Sequence, residues 1–230
     1  MNASGNHLID LLSRRDKSRF LTLCESVQLQ MSDVISEPGQ AVSHVYFPTD
    51  GFISLLAVDE DGPELEVGMV GREGMLGLNW ALGVATSPLR ALVQGSGASW
   101  RLPAAAFCQA LAASAALRSM LLRYAHVCLA QGATSALCLR YHEIGPRLAR
   151  WLLMTEDRAG QAIFPVTQAF LASMLGVRRV GVTAAAGALQ KQGLIAYRRG
   201  ILQVLDRPAL LAASCSCYAQ DQRSYANVMS

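Results

Sequence analysis

The spacing of apolar positions changes twice along this chain. From His7 to Cys24 the apolar residues Leu8, Leu11, Leu12, Phe20 and Leu21 recur at helical spacing, which predicts one helix there. A strand-like region follows. HVYFPTDGFISLLAV places β-formers on both sides of the turn composition Pro48-Thr49-Asp50-Gly51. Asp61-Gly62-Pro63 then precedes an alternating run in which Leu65, Val67 and Met69 are expected on one face. LRALVQGSGASWRL reads as two short strands around Gly95-Ser96-Gly97. Short strands separated by Gly, Pro and Asp turns predict a small antiparallel barrel or jelly roll.

The period becomes helical at Pro103. A short apolar helix over Ala104–Ala113 leads into a longer one that begins near Ala115. In the longer helix Met120, Tyr124, Val127, Gln131, Thr134, Cys138 and Tyr141 form an a/d seam. Leu121, Ala125, Cys128, Gly132, Ser135 and Leu139 form a second stripe. A helix apolar on two sides needs two partners, and the expected ones are the barrel and the same helix of a second copy. Gly145-Pro146 is expected to end it, with a domain boundary at 143–147. RLARWLLMTED is the next amphipathic helix, with Leu148, Trp151 and Leu152 inward.

The stretch from Val166 to Gly200 carries the most local information. Thr167 is a suitable N-cap for a helix over Gln168–Leu175, Gly176 suits a sharp left-handed turn, and a second helix is expected from about Arg178 to Gln192. Ala172, Gly176 and Val182 supply the small, turning and core-filling positions of a helix-turn-helix. Leu194–Tyr197 and Ile201–Leu205 around Arg198-Arg199-Gly200 read as a β-hairpin, which makes the module winged.

Charge sharpens this picture. Between Gly145 and Tyr218 there are nine Lys and Arg against three Asp and Glu, whereas the whole chain carries only +3. The basic third is therefore the part suited to a polyanion. In a winged module the start of the second helix enters the major groove, so Arg178 and Arg179 are the expected base readers, with Val180 and Thr183 on the same helix. Thr167 and Gln168 stand where helix N–H groups take a phosphate, Arg198 and Arg199 where the wing meets the backbone, and Lys191 is a more distant candidate. Double-stranded DNA is the predicted partner.

Other chemistry is sparsely represented. The sequence contains no HExxH, GxSxG or GxxxxGK[ST] pattern, so no enzyme is expected. Cys24, Cys108, Cys128, Cys138, Cys215 and Cys217 are scattered and read as reduced, mostly core thiols; the pair Cys215 and Cys217 has no CxxC partner, so no metal site is expected. No apolar stretch is long enough to span a membrane, and no secretory signal opens the chain, so a cytoplasmic protein is expected.

With these features the chain resembles the Crp/Fnr family of bacterial transcription regulators over nearly its whole length. The match lies in the strand-rich front, VGREGMLGL, the long helix, RLARWLLM and the winged module. The resemblance implies an α+β fold: residues 1–114 as a cyclic-nucleotide-binding-like jelly-roll sensor domain, 115–144 as a dimerisation helix, 145–218 as a winged helix-turn-helix domain, and 219–230 as a tail. It further implies a homodimer on an inverted-repeat operator, with RNA polymerase as a further partner. Arg179 aligns with the family's guanine-reading arginine, while Val180 and Ala184 depart from the family's acidic and basic positions.

The sensor's ligand is not implied. Gly71, Glu73, Gly74, Ser87 and Arg90 are the barrel candidates, but Ser87-Pro88 stands where cyclic-AMP-binding members have arginine-serine, so cyclic AMP by the usual mode is not expected. Only Cys24 lies in the first hundred residues, which argues against an iron–sulfur cluster. His44 and His126 are isolated and read as structural rather than haem ligands. The alternative is a regulatory interaction protein that keeps the fold without specific DNA readout, favoured by the charge-poor VTAAAGALQ of the second helix.

Overall fold

The computed structural model describes residues 3–60 and 62–230. It opens on two short helices, α1 (His7–Asp10) and α2 (Arg14–Leu21), rather than the single expected helix. The break has a local cause: the Ser13 hydroxyl accepts from the Asp16 N–H at 3.2 Å and caps a new helix. Seven strands follow: β1 (Glu25–Leu29), β2 (Val34–Ser36), β3 (His44–Pro48), β4 (Phe52–Val58), β5 (Glu64–Val70), β6 (Arg90–Gly95) and β7 (Gly97–Pro103). They form two antiparallel sheets, ordered β1-β7-β3 and β2-β6-β4-β5, the jelly-roll arrangement the turn spacing predicts. Of the turn expected at Asp61-Gly62-Pro63, Asp61 lies outside the described residues.

The alternation expected along β5 does not hold. Leu55 pairs with Gly68 but Leu56 pairs with Glu66, so Val67 is an extra residue in a β-bulge. Glu66 is thereby turned to the side of Met69, where its carboxylate accepts from the Ser54 hydroxyl and from Trp151 Nε1 at 2.8 Å.

Helices α3 (Ala104–Ala113) and α4 (Ala115–Tyr141) meet at a sharp bend, with Ser114 capping α4 through the Leu117 N–H at 3.2 Å. Helix α4 ends at Tyr141, not at Gly145-Pro146; His142 and Glu143 are extended, and Pro146 falls in the first turn of α5 (Ile144–Ala159), where its missing N–H costs nothing. The winged module comprises β8 (Ile163–Pro165), α6 (Gln168–Leu175), α7 (Arg179–Lys191), β9 (Ile195–Arg198) and β10 (Ile201–Val204). Helix α8 (Arg207–Ala213) precedes α9 (Cys217–Met229), so most of the segment expected to be a tail is helical.

Helix α9 changes the reading of α4. It packs along α4, and the expected seam residues Met120, Tyr124, Val127, Thr134 and Cys138 are buried within one chain. The first three join Leu8, Phe47, Phe107 and Met229 in one core. The expected dimer seam is therefore already occupied, while Tyr141 is exposed. The second stripe splits: Leu121 and Ala125 are buried, Gly132 and Leu139 are not. A third stripe, Leu122, His126, Leu129, Ala133 and Ala136, with Leu137 at its side, is the one left exposed; Leu129 retains 75% of its surface.

Barrel and module share a core. Phe52, Leu56 and Met69 from β4 and β5 pack in one cluster with Leu148, Trp151 and Leu152 of α5 and Leu171 and Leu175 of α6. Among the described residues no single helix is long and apolar enough to cross a membrane.

Candidate nucleic-acid interface

The module's two helices are set at 107° by a short turn. Gly176 adopts φ +61° and its N–H bonds Ser173 O, while the Val177 N–H bonds Ala172 O at 2.9 Å. The positive φ is what requires glycine at 176; an added Cβ would meet only the tip of the Leu65 side chain of β5, at 2.8 Å, which can shift. Val182 is fully buried and Ala172 nearly so, which locks α7 against α6. The sequence-predicted start of α7 at Arg178 shifts by one residue: Arg178 is the extended N-cap and Arg179 the first helical residue.

Thr167 caps α6 through the Phe170 N–H at 3.1 Å. Gln168 Oε1 accepts from the Thr183 hydroxyl at 2.8 Å, which joins the starts of the two helices. At the wing, Arg199 and Gly200 have φ of +53° and +77°, and Arg198 pairs with Ile201. This is the two-residue hairpin turn with both central residues left-handed, and the glycine carries the more demanding position.

These elements enclose a shallow concavity lined by Thr167, Gln168, Arg179, Tyr197, Arg199 and Gly200. Four of these, Thr167, Gln168, Arg179 and Arg199, are sequence-predicted site residues. Arg178, Arg179, Val180 and Thr183 are all exposed, Val180 to 73%. Arg198 is exposed on β9 beside the concavity rather than in its lining. Lys191 stands apart, twelve residues along α7 from Arg179 and therefore roughly 18 Å away along the axis.

Sequence reasoning misses Tyr197. Its hydroxyl donates to Val166 O at 2.8 Å and its N–H to Gln190 Oε1 at 3.1 Å, tying the wing to α7 and to the residue before the cap of α6. Burial raises its phenol, and the nearby Arg179 charge acts in the opposite direction. An aromatic alternating with Arg198 on a strand is the only signal that could have marked it.

The barrel candidates do not form one site. Gly71, Glu73 and Gly74 follow the end of β5, whereas Arg90 reaches its start, at Glu64. Arg90 is held between Glu37 and Glu64 at 2.9 and 2.8 Å, so its charge is already matched. Ser87 is engaged locally, with Leu89. Glu73 pairs with Arg158 of α5 at 2.8 Å, its carbonyl accepts from Tyr225 of α9, and a Cβ at Gly74 would strike the Tyr124 hydroxyl. This loop serves to join barrel, α4, α5 and α9.

The reading of scattered thiols also needs correction. Cys138, Cys215 and Cys217 form one small buried cluster beside His142, brought together because α9 folds back on the end of α4.

A family model described as a Crp-like helix-turn-helix domain matches residues 146–213. No curated protein matches the sequence. Solved structures similar to this chain include FixK2 from Bradyrhizobium japonicum, at 15% identity and TM-score 0.70, covering 84% of this chain and 98% of that one. The c-di-GMP-responsive global regulator CLP of Xanthomonas campestris is 17% identical with TM-score 0.68, covering 84% and 100%. A CRP/FNR-family transcriptional regulator from Thermus thermophilus is 24% identical with TM-score 0.66, covering 83% and 98%.

Proposed function

We propose that this protein, a Crp/Fnr-type transcription regulator by its fold and its Crp-like helix-turn-helix domain, binds an inverted-repeat operator as a homodimer. The observation that carries the reading is the concavity in which Thr167, Gln168, Arg179 and Arg199 converge from three different elements. In this reading the start of α7 enters the major groove. Arg179, with Arg178 beside it, takes guanine O6 and N7, a contact worth about 1–3 kcal/mol of discrimination. Val180 offers an apolar contact to a thymine methyl, and Thr183, held by Gln168, is positioned at the base edge or phosphate. The capped start of α6 and the wing arginines bind phosphates on either side.

The dimer in this proposal uses the exposed stripe of α4 centred on Leu129, not the seam that α9 covers. Two modules then address successive major grooves about 34 Å apart. The core shared by β4, β5, α5 and α6 provides the route by which a change in the barrel would reorient the module, as a shift between two populated states.

The test is selection of fragmented genomic DNA on the purified chain at moderate salt, followed by sequencing. An inverted repeat with half-sites one helical turn apart supports the proposal, and R178A/R179A should abolish its enrichment. Unchanged enrichment in that variant would place base reading on other residues, and no retention of DNA by the parent chain would transfer support to a regulator acting through protein contacts.

A further inference from the structure

We propose that Cys138, His142, Cys215 and Cys217 form a tetrahedral Cys3His site for a zinc-class divalent cation. One ligating atom from each of the four residues lies within 4.8 Å of every other. Cys138 Sγ is 3.5 Å from Cys215 Sγ, and Cys217 Sγ is 3.5 Å from His142 Nδ1. Zinc–sulfur and zinc–nitrogen bonds of about 2.3 and 2.0 Å at tetrahedral angles give ligand separations of roughly 3.5–3.8 Å. Two of the six edges are thus already at tetrahedral length, and none of the others exceeds 4.8 Å.

Local structure explains how they meet. Cys138 and His142 are four residues apart on one side of the end of α4, with His142 as the extended residue that follows the helix. Cys215 and Cys217 flank Ser216, where the chain turns from α8 into α9, and the Cys215 N–H bonds Pro146 O at 3.3 Å. The three cysteines are at most 7% exposed and His142 is half-buried, so three of the four ligands are shielded from solvent, as in structural zinc sites. Thiolate and imidazole donors without a carboxylate among the four select zinc over magnesium or calcium.

The surroundings supply a second, independent sign. Three thiolates around a divalent cation leave one net negative charge, and two arginines lie beside the cluster. Arg147 and Arg150 line one small cavity with Cys138; Glu66 lines it too, its carboxylate already accepting from Ser54 and Trp151. Arg150 is shared with Asp221 at 2.7 Å. Arg147 is 92% buried, donates to Leu175 O, and has no carboxylate partner among the described residues. A buried guanidinium without an acid is costly unless an anion faces it, and a thiolate-rich metal centre is such an anion.

Each bound thiol gives up its proton on ligation, and no electron is transferred. The ion would fasten the end of α4 to the start of α9 across the α4–α5 break, where the winged module leaves the long helix. It would act as a clamp on the module's position rather than as a reaction centre.

The experiment is a cobalt titration of the full, reduced, metal-stripped chain in the absence of DNA. One cobalt per chain with intense thiolate-to-cobalt charge-transfer and tetrahedral d–d bands, displaced by zinc, is the expected result. Zinc should then protect Cys138, Cys215 and Cys217 from alkylation, read by mass spectrometry, and leave the labelling of Cys24, Cys108 and Cys128 unchanged. C217S should lose the tetrahedral spectrum while C108S retains it. A reduced wild-type chain that gives no thiolate–cobalt bands, or zinc protection at other cysteines, overturns the proposal. So does a chain in which Cys138 and Cys215 form a disulfide and which takes up no metal after reduction.

Discussion

Glu66 is a carboxylate in an apolar joint, and its titration has a definite sign. Burial pushes its carboxyl up to about 7, while the hydrogen bonds from Ser54 and Trp151 and the charges of Arg158 and Arg150 pull only part of the way back. In the unfolded chain it ionises near 4.5. The folded state therefore holds the proton more tightly. Its contribution to stability is fully present below about pH 4.5 and is lost as the pH rises through about 7. Glu66→Gln, which keeps an acceptor for Trp151, should flatten this slope and stabilise the chain at pH 8 by on the order of 1–3 kcal/mol, discounted for the residue's partial exposure. Denaturant melts at pH 5 and pH 8 measure it; an unaltered slope would show that the ionised side chain is already accommodated. At the other end of the joint, Gly176→Ala meets the positive φ and should cost about 1 kcal/mol in the same melts. On the proposed DNA face, Arg179→Ala should weaken specific binding by about 1–3 kcal/mol, whereas Lys191→Ala should lower affinity for all sequences alike and only slightly, as fluorescence titrations at two salt concentrations will separate.

At the level of elements, the winged module is legible in the sequence because its signals are local. A capping threonine, a left-handed glycine and a hairpin glycine each act within a few residues, and all three are in place. The long helix is legible as a helix but not in its partners. Apolar spacing shows which positions want burial, not who buries them, and α9 is hidden because its inward stripe of Cys217, Tyr218, Asp221, Tyr225 and Met229 is interrupted by a charge. The thiol cluster is out of reach for a similar reason: one C-x3-H pair and one C-x-C pair meet only after a 77-residue excursion. The β5 bulge escapes because no sequence rule marks where an extra residue will be inserted. The exposed stripe of α4 yields its own prediction. Leu129→Lys should leave the helical content unchanged, since the side chain is 75% exposed, and convert the proposed dimer to a monomer in sedimentation velocity. Binding to a half-site should then survive while binding to the inverted repeat is lost. A variant that remains dimeric would place the interface elsewhere on the chain.

Across the whole molecule, barrel, long helix and module are joined at several independent points. The Glu73–Arg158 pair, the Glu66–Trp151 bond and the packing of α6 on β5 all cross from barrel to module. The module is thus part of a continuous body rather than a bead on a hinge, and a change in barrel packing reaches it through packed side chains.

The helix that covers α4 also has a consequence for synthesis. Met229 is buried in the same core as Leu8 and Phe107, and Tyr225 bonds both His7 and Glu73. The core of the amino-terminal half is therefore completed only by residues made later in the chain. At about 10 residues per second the ribosome needs roughly 10 s to pass from residue 114 to Met229. During that interval the face of α4 that α9 will cover is open to chaperones, proteases and nascent neighbours. Ribosome-arrested chains halted before Cys217 should show residues 1–114 cleaved readily by protease, and chains arrested with Met229 well clear of the exit tunnel should not.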